Sequence, residues 1–411
     1  ASVLGAGSIG IRTARHLLDR GHGVVVVDRQ PDAALETSFA NAAQISVSYC
    51  EPWANREAPL KALKWMFDKE APLLFRPQLD WDQWRWGLKF LAQCNDTAFE
   101  RNVQQIVALG AYSHAALKDL VASTGIEYNR LERGIAHFYT DQKSFDAAGH
   151  AVELMRKFGV QRRLVSRDEL LKIEPAFKAY GDKITGGTYT STDESGDARV
   201  FTQELARRCA ARGAQFLYGH DVLRLNKIGD AIDSVAVIAR NTGAGGQKDF
   251  ILKADAFVVA CGSYSAPLLR TVGVDLPIYP GKGYSATFPL LRPEGAPMVS
   301  TIDDGKKIAM SRLGNVLRVA GTIELGGFDM SLDSPVARAR CHMLSRRIAE
   351  ILPGVCDTRT PEEGGNPQYW TGLRPATPTN IPFIGQTRVG KLWVNAGHGT
   401  LGWTHGAGSG Q

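Results

Sequence analysis

The sequence predicts an α/β protein of two domains, one built on a parallel sheet and the other an α+β domain with a mainly antiparallel sheet. A strand, a glycine-rich turn, a helix and a second strand follow one another within the first 28 residues. Alternating helix and strand patterns return over 200–275, whereas 276–360 contains strand runs separated by short turns, as in an antiparallel sheet. A chain of 411 residues is long enough for two such domains.

The N-terminal unit contains a G-x-G-x-x-G motif formed by Gly5, Gly7 and Gly10. In a Rossmann-type unit the first glycine permits the tight turn, the second lets the backbone approach a pyrophosphate, and the third lets helix and strand pack closely. A helix pattern over 11–20 and a second strand ending at Asp28 complete the unit, so we expect Asp28 to accept hydrogen bonds from a ribose. The motif therefore predicts an adenine dinucleotide at the N-terminus of the first helix.

Composition and charge narrow the function further. Apolar residues make up 44% of the chain and charged residues 22%, as in an ordinary globular protein. The net charge of +6 comes from scattered Lys and Arg, which disfavours a nucleic acid partner and leaves an anionic membrane surface or an acidic substrate open. Six cysteines without a C-x-x-C pair argue against a metal site and a disulfide framework, so we expect a cytoplasmic location.

Neither a secretory signal nor an apolar stretch of twenty residues is found. Only four residues precede Gly5, and a helix pattern runs up to Gln411, so we expect the natural chain to extend slightly beyond both ends.

The remaining elements follow from hydrophobic spacing and turn signals. Helices are predicted over 100–125, 144–158, 201–212 and 335–352, and an N-capping box over 166–169 opens another. Strands are predicted over 214–218, 221–225, 234–240, 256–260, 283–288, 307–311 and 316–321, and a strand, glycine turn and helix start over 392–400. We expect one domain to comprise 1–50, 195–275 and 361–411, and the other 51–194 and 276–360.

Turns suited to a nucleotide occur near residues 5, 40, 262 and 397. A nicotinamide dehydrogenase usually gathers such contacts in one compact N-terminal domain, whereas a long, tightly held FAD needs contacts from distant parts of the chain. This distribution favours FAD.

Six motifs resemble those of the small subunit of bacterial D-amino acid dehydrogenases, a family within the D-amino acid oxidase/glycine oxidase superfamily of FAD enzymes. They lie, in order over essentially the whole chain, at 35–46, 59–67, 259–265, 282–285, 370–375 and 397–403. The resemblance implies a D-amino acid oxidase-like fold and the oxidative deamination of a D-amino acid to a 2-oxo acid and ammonia. A hydride would pass from Cα to flavin N5, and the electrons would leave for a quinone or dye-like acceptor.

The FAD is expected to be bound non-covalently, because 366–370 lacks the cysteine that sarcosine oxidase relatives use. Two rival functions stay open: an oxygen-using amino acid, imino acid or glycine oxidase, and a non-catalytic FAD subunit of an electron-transfer complex.

The resemblance also implies roles for particular residues. Arg374, in Gly372-Leu373-Arg374-Pro375, would clamp the substrate carboxylate, since a guanidinium matches a carboxylate with two parallel hydrogen bonds. Tyr284 and Tyr49 would close the substrate pocket, or else serve as core tyrosines. His398 would contact the flavin, and the alternative is a catalytic role as a base. The expected cofactor-binding residues are Gly5, Gly7, Ser8, Ile9, Gly10, Asp28, Arg29, Thr37, Ser38, Asn41, Ala42, Ala43, Gln44, Ile45, Val222, Ala260, Gly262, Gly372, Arg374, Gly397, His398, Gly399, Thr400 and Leu401.

Two departures from the family pattern affect the expected pocket. Ala43 stands where glycine is usual and would add a methyl group near the flavin ring, whereas Gly281 replaces a larger residue and would remove bulk beside the pocket. Both put the preferred substrate side chain in doubt.

Residues 53–89 contain five of the eight tryptophans, mixed with Lys and Arg. This composition suits the membrane–water interface, where a quinone-linked enzyme would meet its acceptor, and predicts peripheral contact with the inner face of the cytoplasmic membrane. The alternative is a cap that covers the active site with buried indoles, and the two interpretations are compatible.

Overall fold

The computed structural model describes residues 1–65, 71–240 and 249–411. Its α-helices are α1 (Ser8–Asp19), α2 (Ala58–Trp65), α3 (Trp81–Ala92), α4 (Asp96–Thr124), α5 (Gln142–Lys157), α6 (Arg167–Ile173), α7 (Ala198–Ala211), α8 (Ser265–Arg270), α9 (Pro335–Ile351) and α10 (Gly402–Gly410). Its strands are β1 (Ser2–Leu4), β2 (Val25–Asp28), β3 (Gln44–Ile45), β4 (Leu73–Phe75), β5 (Ile135–Tyr139), β6 (Arg163–Ser166), β7 (Gly186–Thr190), β8 (Glu194–Ser195), β9 (Gln215–Tyr218), β10 (His220–Ile228), β11 (Ala231–Ala239), β12 (Asp249–Lys253), β13 (Phe257–Val259), β14 (Tyr279–Pro289), β15 (Ser300–Asp303), β16 (Ile308–Leu313), β17 (Val316–Leu325), β18 (Gln368–Ala376), β19 (Phe383–Gln386) and β20 (Leu392–Ala396).

A six-stranded sheet forms the first layer, in the order β19-β20-β13-β1-β2-β9, and only its β19–β20 pair is antiparallel. Successive residues of β1 point to opposite faces. Val3 packs into the core beneath α1, α7 and α10, whereas Leu4 packs into the core shared with α8 and the small sheet β10-β11-β12. Because both faces are covered, the strands are continuously apolar, as the sequence pattern predicts.

The turn between β1 and α1 depends on two glycines. Gly5 has φ +109°, and a Cβ there would lie 2.5 Å from the carbonyl oxygen of Ala260. A Cβ on Gly10 would lie 1.9 Å from the carbonyl oxygen of Gly5. The roles predicted for these two glycines, the tight turn and the close packing of helix on strand, are therefore confirmed.

A nine-stranded, mainly antiparallel sheet forms the second layer, in the order β18-β14-β17-β16-β15-β5-β7-β6, with β4 paired to β17. Helix α9 covers it, and Leu344 and Ile348 share a core with Tyr284 and Phe288. The strands predicted over 283–288, 307–311 and 316–321 are confirmed as β14, β16 and β17, and the helix over 335–352 as α9.

Two elements cross the predicted domain boundaries. Strand β18 falls in the predicted first domain yet pairs with β14 in the large sheet. Helix α4 falls in the predicted second domain yet contributes Leu117 and Leu120 to the core beneath α1 and α7. The division into two domains stays a prediction. Strand β18 and helix α4 each pack against the predicted domain to which they were not assigned.

Candidate active site

A cavity of about 1290 Å³ lies where the carboxyl ends of β1, β2 and β13 face the large sheet. Ligands of open α/β sheets bind at this edge of the strands. The volume exceeds the ~300–1,000 Å³ that is typical of a pocket for one small molecule. The cavity can therefore hold a dinucleotide together with a second, smaller molecule.

Most of the predicted cofactor-binding residues lie together on the wall of this cavity. They are Gly5, Gly7, Ser8, Ile9, Asp28, Arg29, Thr37, Ser38, Asn41, Ala42, Ala43, Gln44, Val222, Ala260, Gly262, Gly372, Arg374, His398, Gly399, Thr400 and Leu401. The structure does not bring Gly10, Ile45 or Gly397 to the wall. Gly10 serves the helix–strand contact, Ile45 lies in the core, and a Cβ on Gly397 would lie 2.8 Å from Thr377 Cγ2.

The N-terminus of α1 faces the cavity through Ser8 and Ile9. Its N-cap, Gly7, has no side chain, and the backbone N–H of Ser8 donates to Ser38 Oγ at 3.1 Å. The nearest atom to a Cβ placed on Gly7 is the same Ser38 Oγ, at 3.8 Å. Unlike Gly5 and Gly10, Gly7 is therefore not required by the protein's own packing. The partial positive charge at a helix N-terminus that faces a cavity attracts anionic groups.

The Asp28 carboxylate holds the ends of β1 and β2 together. Its Oδ2 accepts a hydrogen bond from the Ala6 backbone N–H at 2.6 Å and its Oδ1 one from Gln30 at 2.8 Å, while burial raises its pKa. Beside it, the Arg29 guanidinium lies 3.9 Å from the centre of the Tyr264 ring and its Nε donates to Glu36 Oε1 at 2.7 Å. Asp28 thus supports the glycine turn, a role that the motif alone does not reveal.

The loop from Thr37 to Gln44 connects the two sheet layers across the cavity. Thr37 Oγ1 donates to the carbonyl oxygen of Leu373 at 2.9 Å, and Gln44 Nε2 donates to Ser300 Oγ at 2.8 Å. Between them Ala43 has φ +60°, a left-handed conformation that glycine adopts without strain. This conformation explains why glycine is usual at the position.

Arg374 extends from β18 into the cavity. Its Nη1 donates to the carbonyl oxygen of Thr322 at 2.8 Å, and burial lowers its pKa to about 10. A Cβ on Gly283 would lie 2.5 Å from its Cζ, so Gly283 makes the room that the guanidinium needs. No carboxylate within 1–65, 71–240 or 249–411 forms an ion pair with Arg374. The guanidinium is thus a cation without a protein counter-charge, placed on the cavity wall.

A β-bulge holds the carbonyl group that orients Arg374. The pairing of β14 with β17 shifts between Gly283 and Tyr284, which leaves Thr322 unpaired at φ +55°. Sequence reasoning missed this residue, although Gly321 within a strand pattern is a signal of a bulge.

The interpretation of Gly281 is wrong. Gly281 does not line the cavity, and a Cβ there would lie 2.5 Å from Ile323 Cδ1. The side chain of Ile323, which does line the cavity, fills the space across from the glycine. Ile323 of the neighbouring strand therefore occupies the volume that a side chain at position 281 would take, and the pocket is not enlarged there.

Tyr284 and Tyr49 both line the cavity. The Tyr284 hydroxyl donates to Glu324 Oε2 at 2.6 Å, and burial together with this bond raises its pKa. Tyr49 packs edge-on against His137, with ring centres 4.6 Å apart, and burial raises its pKa. The hydroxyl proton of Tyr284 is therefore engaged in a hydrogen bond to a protein carboxylate.

His398 also lines the cavity, and its Nε2 lies 3.0 Å from Ser409 Oγ. Burial, with His405 and Arg12 nearby, lowers its pKa to about 3. The ring is therefore neutral at physiological pH and too weak a base to take a proton from an ammonium group.

Sequence reasoning also missed a cluster of charged residues on the cavity wall. Arg162 Nη1 donates to Glu51 Oε1 at 3.0 Å, and Lys307 Nζ to Asp304 Oδ2 at 2.9 Å; all four residues line the cavity. No spacing signal in the sequence joins the two pairs, because Glu51, Arg162 and the turn that carries both Asp304 and Lys307 are three separate segments.

Helices α2 and α3 also contribute to the cavity wall. Trp84, Leu88 and Leu91 of α3 and Lys61 of α2 line the cavity, whereas Trp86 is buried and donates from Nε1 to the carbonyl oxygen of Ala376 at 2.9 Å. Met66 and Phe67, at the end of the motif over 59–67, lie outside the described residues. Among the described residues, no helix has the length and apolar character needed to cross a membrane.

Comparison with known proteins identifies the family. The family model described as DAO, FAD dependent oxidoreductase, matches residues 1–411. A protein of Dechloromonas aromatica named D-amino acid dehydrogenase is 48% identical over 407 residues, which cover 99% of this chain and 94% of the relative. One of the same name from Methylobacterium radiotolerans is 41% identical and is covered to 93% of its length, with 100% of this chain aligned.

Solved structures show the same fold at low sequence identity. Glycine oxidase from Bacillus cereus superposes with a TM-score of 0.72 at 21% identity, covering 100% of this chain and 92% of that chain. L-proline dehydrogenase from P. horikoshii gives a TM-score of 0.72 at 16% identity, covering 100% and 90%. The predicted fold class is thus confirmed, and the chain belongs to the DAO family of FAD-dependent oxidoreductases.

Proposed function

We propose that the chain catalyses the FAD-dependent oxidative deamination of D-amino acids to 2-oxo acids and ammonia. The observation that carries the proposal is Arg374, a guanidinium on the cavity wall without a protein counter-charge. A carboxylate is the ligand that such a planar fork recognises best. The names of the relatives identify the class of carboxylate as a D-amino acid.

The cavity fits FAD. Gly7 places no side chain between the N-terminus of α1 and a pyrophosphate, and the turn from Gly399 to Leu401 brings a second backbone segment to the wall. Cys261 lines the cavity, but burial raises its pKa to about 12, so its thiol stays protonated and unreactive. This supports non-covalent binding.

Bound FAD supplies the acceptor for the hydride that leaves the substrate Cα. The protein's own task is to align that carbon, and Arg374 would fix the carboxylate in both position and rotation. Neither His398, with its low pKa, nor Tyr284, whose proton is held by Glu324, is suited to deprotonate the amine. We therefore expect the amine to react in its neutral form after losing its proton to solvent.

Anaerobic mixing with a panel of D-amino acids tests this function. We expect at least one to bleach the oxidised flavin absorbance, with its L-enantiomer as the matched control. If none of the D-amino acids reduces the flavin, the proposal fails. Oxygen uptake and dye reduction, measured with the same substrate, then separate an oxidase from a dehydrogenase.

We also propose that the electrons pass to a membrane quinone and that the exposed face of α3 contacts the inner face of the cytoplasmic membrane. The outer face of α3 carries Trp81, Trp84, Leu88 and Leu91 at helical spacing, and they are 72%, 47%, 64% and 52% exposed. Three of them also line the cavity, and Lys89 is exposed beside them. Apolar side chains interleaved with cations suit an anionic bilayer surface.

Two glutamates on this surface should abolish membrane contact. Leu79 and Trp81 are exposed and do not line the cavity. The variant Leu79→Glu/Trp81→Glu is expected to lose flotation with phosphatidylglycerol-containing vesicles, because burying a charge in the interface is unfavourable. Dye-linked activity should be unchanged, and Ile228→Glu, a change at an exposed residue on β10, should float like the parent protein. Flotation of the double variant at the parent level would contradict membrane contact through α3.

A further inference from the structure

Arg12 is a buried cation that the proposed reaction does not use. It lies on α1, four residues after Ser8, and is 1% exposed. Its Nη1 donates to Ser8 Oγ at 2.9 Å, whereas Nε and Nη2 are buried without a hydrogen-bond partner among the described residues. Burial lowers its pKa to about 9, so the group stays charged at neutral pH.

The protein makes room for this side chain without neutralising it. The guanidinium lies 4.4 Å from the centre of the Trp403 ring and 5.1 Å from that of Phe201. A Cβ on Gly406 would lie 2.1 Å from Nη1, so α10 has a glycine where Arg12 passes. In the part of the chain that the structure describes, no carboxylate pairs with Arg12, and aromatic faces compensate a buried charge only in part.

The position of Arg12 indicates what could balance its charge. Ser8, its hydrogen-bond partner, lines the cavity at the N-terminus of α1. The helix dipole places partial positive charge at the same end, and both act through a protein interior in which electrostatic attraction is strong. An anion bound at the glycine turn would therefore stabilise both the buried Arg12 guanidinium and the N-terminus of α1.

We propose that Arg12 is a charge-balancing residue for the cofactor: its buried guanidinium raises the affinity of the glycine turn for the pyrophosphate of FAD without touching it. The inference rests on FAD occupying this cavity and not on the identity of the amino acid substrate. It requires that the buried, unpaired Arg12 charge costs electrostatic free energy in the cofactor-free protein, and that bound FAD lowers this cost.

Substituting Arg12 separates this role from a structural one. The apoprotein of Arg12→Met is expected to bind FAD about tenfold more weakly, the order expected for two charges interacting across a protein interior. Its melting temperature without FAD should equal or exceed that of the parent protein, because a buried unpaired charge has been removed. Arg12→Lys should recover most of the affinity. Arg20→Met, at the exposed C-terminal end of the same helix, removes the same charge and should bind FAD normally.

Competition by adenine ligands identifies the interacting group. Arg12→Met should lower the affinity for ADP, which carries the pyrophosphate, by a similar factor, and leave the affinity for adenosine unchanged. The proposal is overturned if Arg12→Met binds FAD like the parent protein, or if it loses affinity for ADP and adenosine equally. It is also overturned if Arg12→Lys does not recover the FAD affinity, or if the Arg12→Met apoprotein melts at a lower temperature than the parent apoprotein. None of these measurements requires turnover, so their failure is distinct from failure of the proposed reaction.

Discussion

Replacing Arg374 with methionine is expected to lower kcat/KM for D-amino acids by about a thousandfold, since removing one member of a buried, hydrogen-bonded charge pair costs roughly 2–5 kcal/mol. The loss should lie mainly in substrate binding and in the rate of flavin reduction, because the guanidinium fixes the carboxylate on which the position of Cα depends. Stopped-flow reduction of the flavin measures both. Arg374→Lys should recover only part of the loss, because an ammonium group lacks the planar fork.

The melting temperature of the Arg374→Met variant is the control for this prediction. Arg374 has no ion-pair partner among the described residues, so its replacement by an apolar side chain should not lower the melting temperature. Arg388→Met, which removes an exposed arginine, should leave both activity and stability unchanged. An Arg374→Met enzyme with a normal kcat/KM would exclude the guanidinium as the carboxylate clamp.

Gly7→Ala is expected to weaken FAD binding by about 100-fold while leaving the apoprotein as stable as before. The backbone of Gly7 is open, with Ser38 Oγ 3.8 Å from a Cβ placed there. A methyl group at this point would hold a pyrophosphate away from the helix N-terminus, and hydrogen bonds to charged groups contribute roughly 1.5–3 kcal/mol each. Titration of the apoprotein with FAD, followed by flavin fluorescence, measures the change.

Substitutions of two other glycines are the controls for this experiment. Gly10→Ala should destabilise the apoprotein itself, since its Cβ would meet the Gly5 carbonyl oxygen, whereas Gly23→Ala should change nothing, because no atom lies within 4 Å of a Cβ there. If Gly7→Ala binds FAD like the parent protein, the pyrophosphate does not lie at this turn.

The elements predicted best are those whose signals are local. The glycine turn, α1 and β2 are read from consecutive residues, because tight turns and buried strands depend on nearby spacing. Strands β14, β16 and β17 are predicted for the same reason, since each is a short apolar run bounded by turn residues.

What the sequence could not reveal depends on contacts between distant segments. In the pattern of α1, Arg12 looks like one more surface arginine, and only its packing against Trp403 shows that it is buried. Gly281 suggests an enlarged pocket until Ile323 of the adjacent strand is seen to fill the space. Thr322 owes its conformation to a register shift between two strands, which no single segment encodes.

The central place of β1 in its sheet determines when the enzyme can acquire FAD. The ribosome synthesises β1 (Ser2–Leu4) long before its neighbour β13 (Phe257–Val259) and the next strand, β20 (Leu392–Ala396). Asn395, near the end of the chain, donates to Thr13 Oγ1 at 3.0 Å and ties the last strand to the first helix. Chains are synthesised at about 5–20 residues per second. The glycine turn therefore lacks these neighbouring strands until β20 has been synthesised, and we expect FAD to bind only after that point.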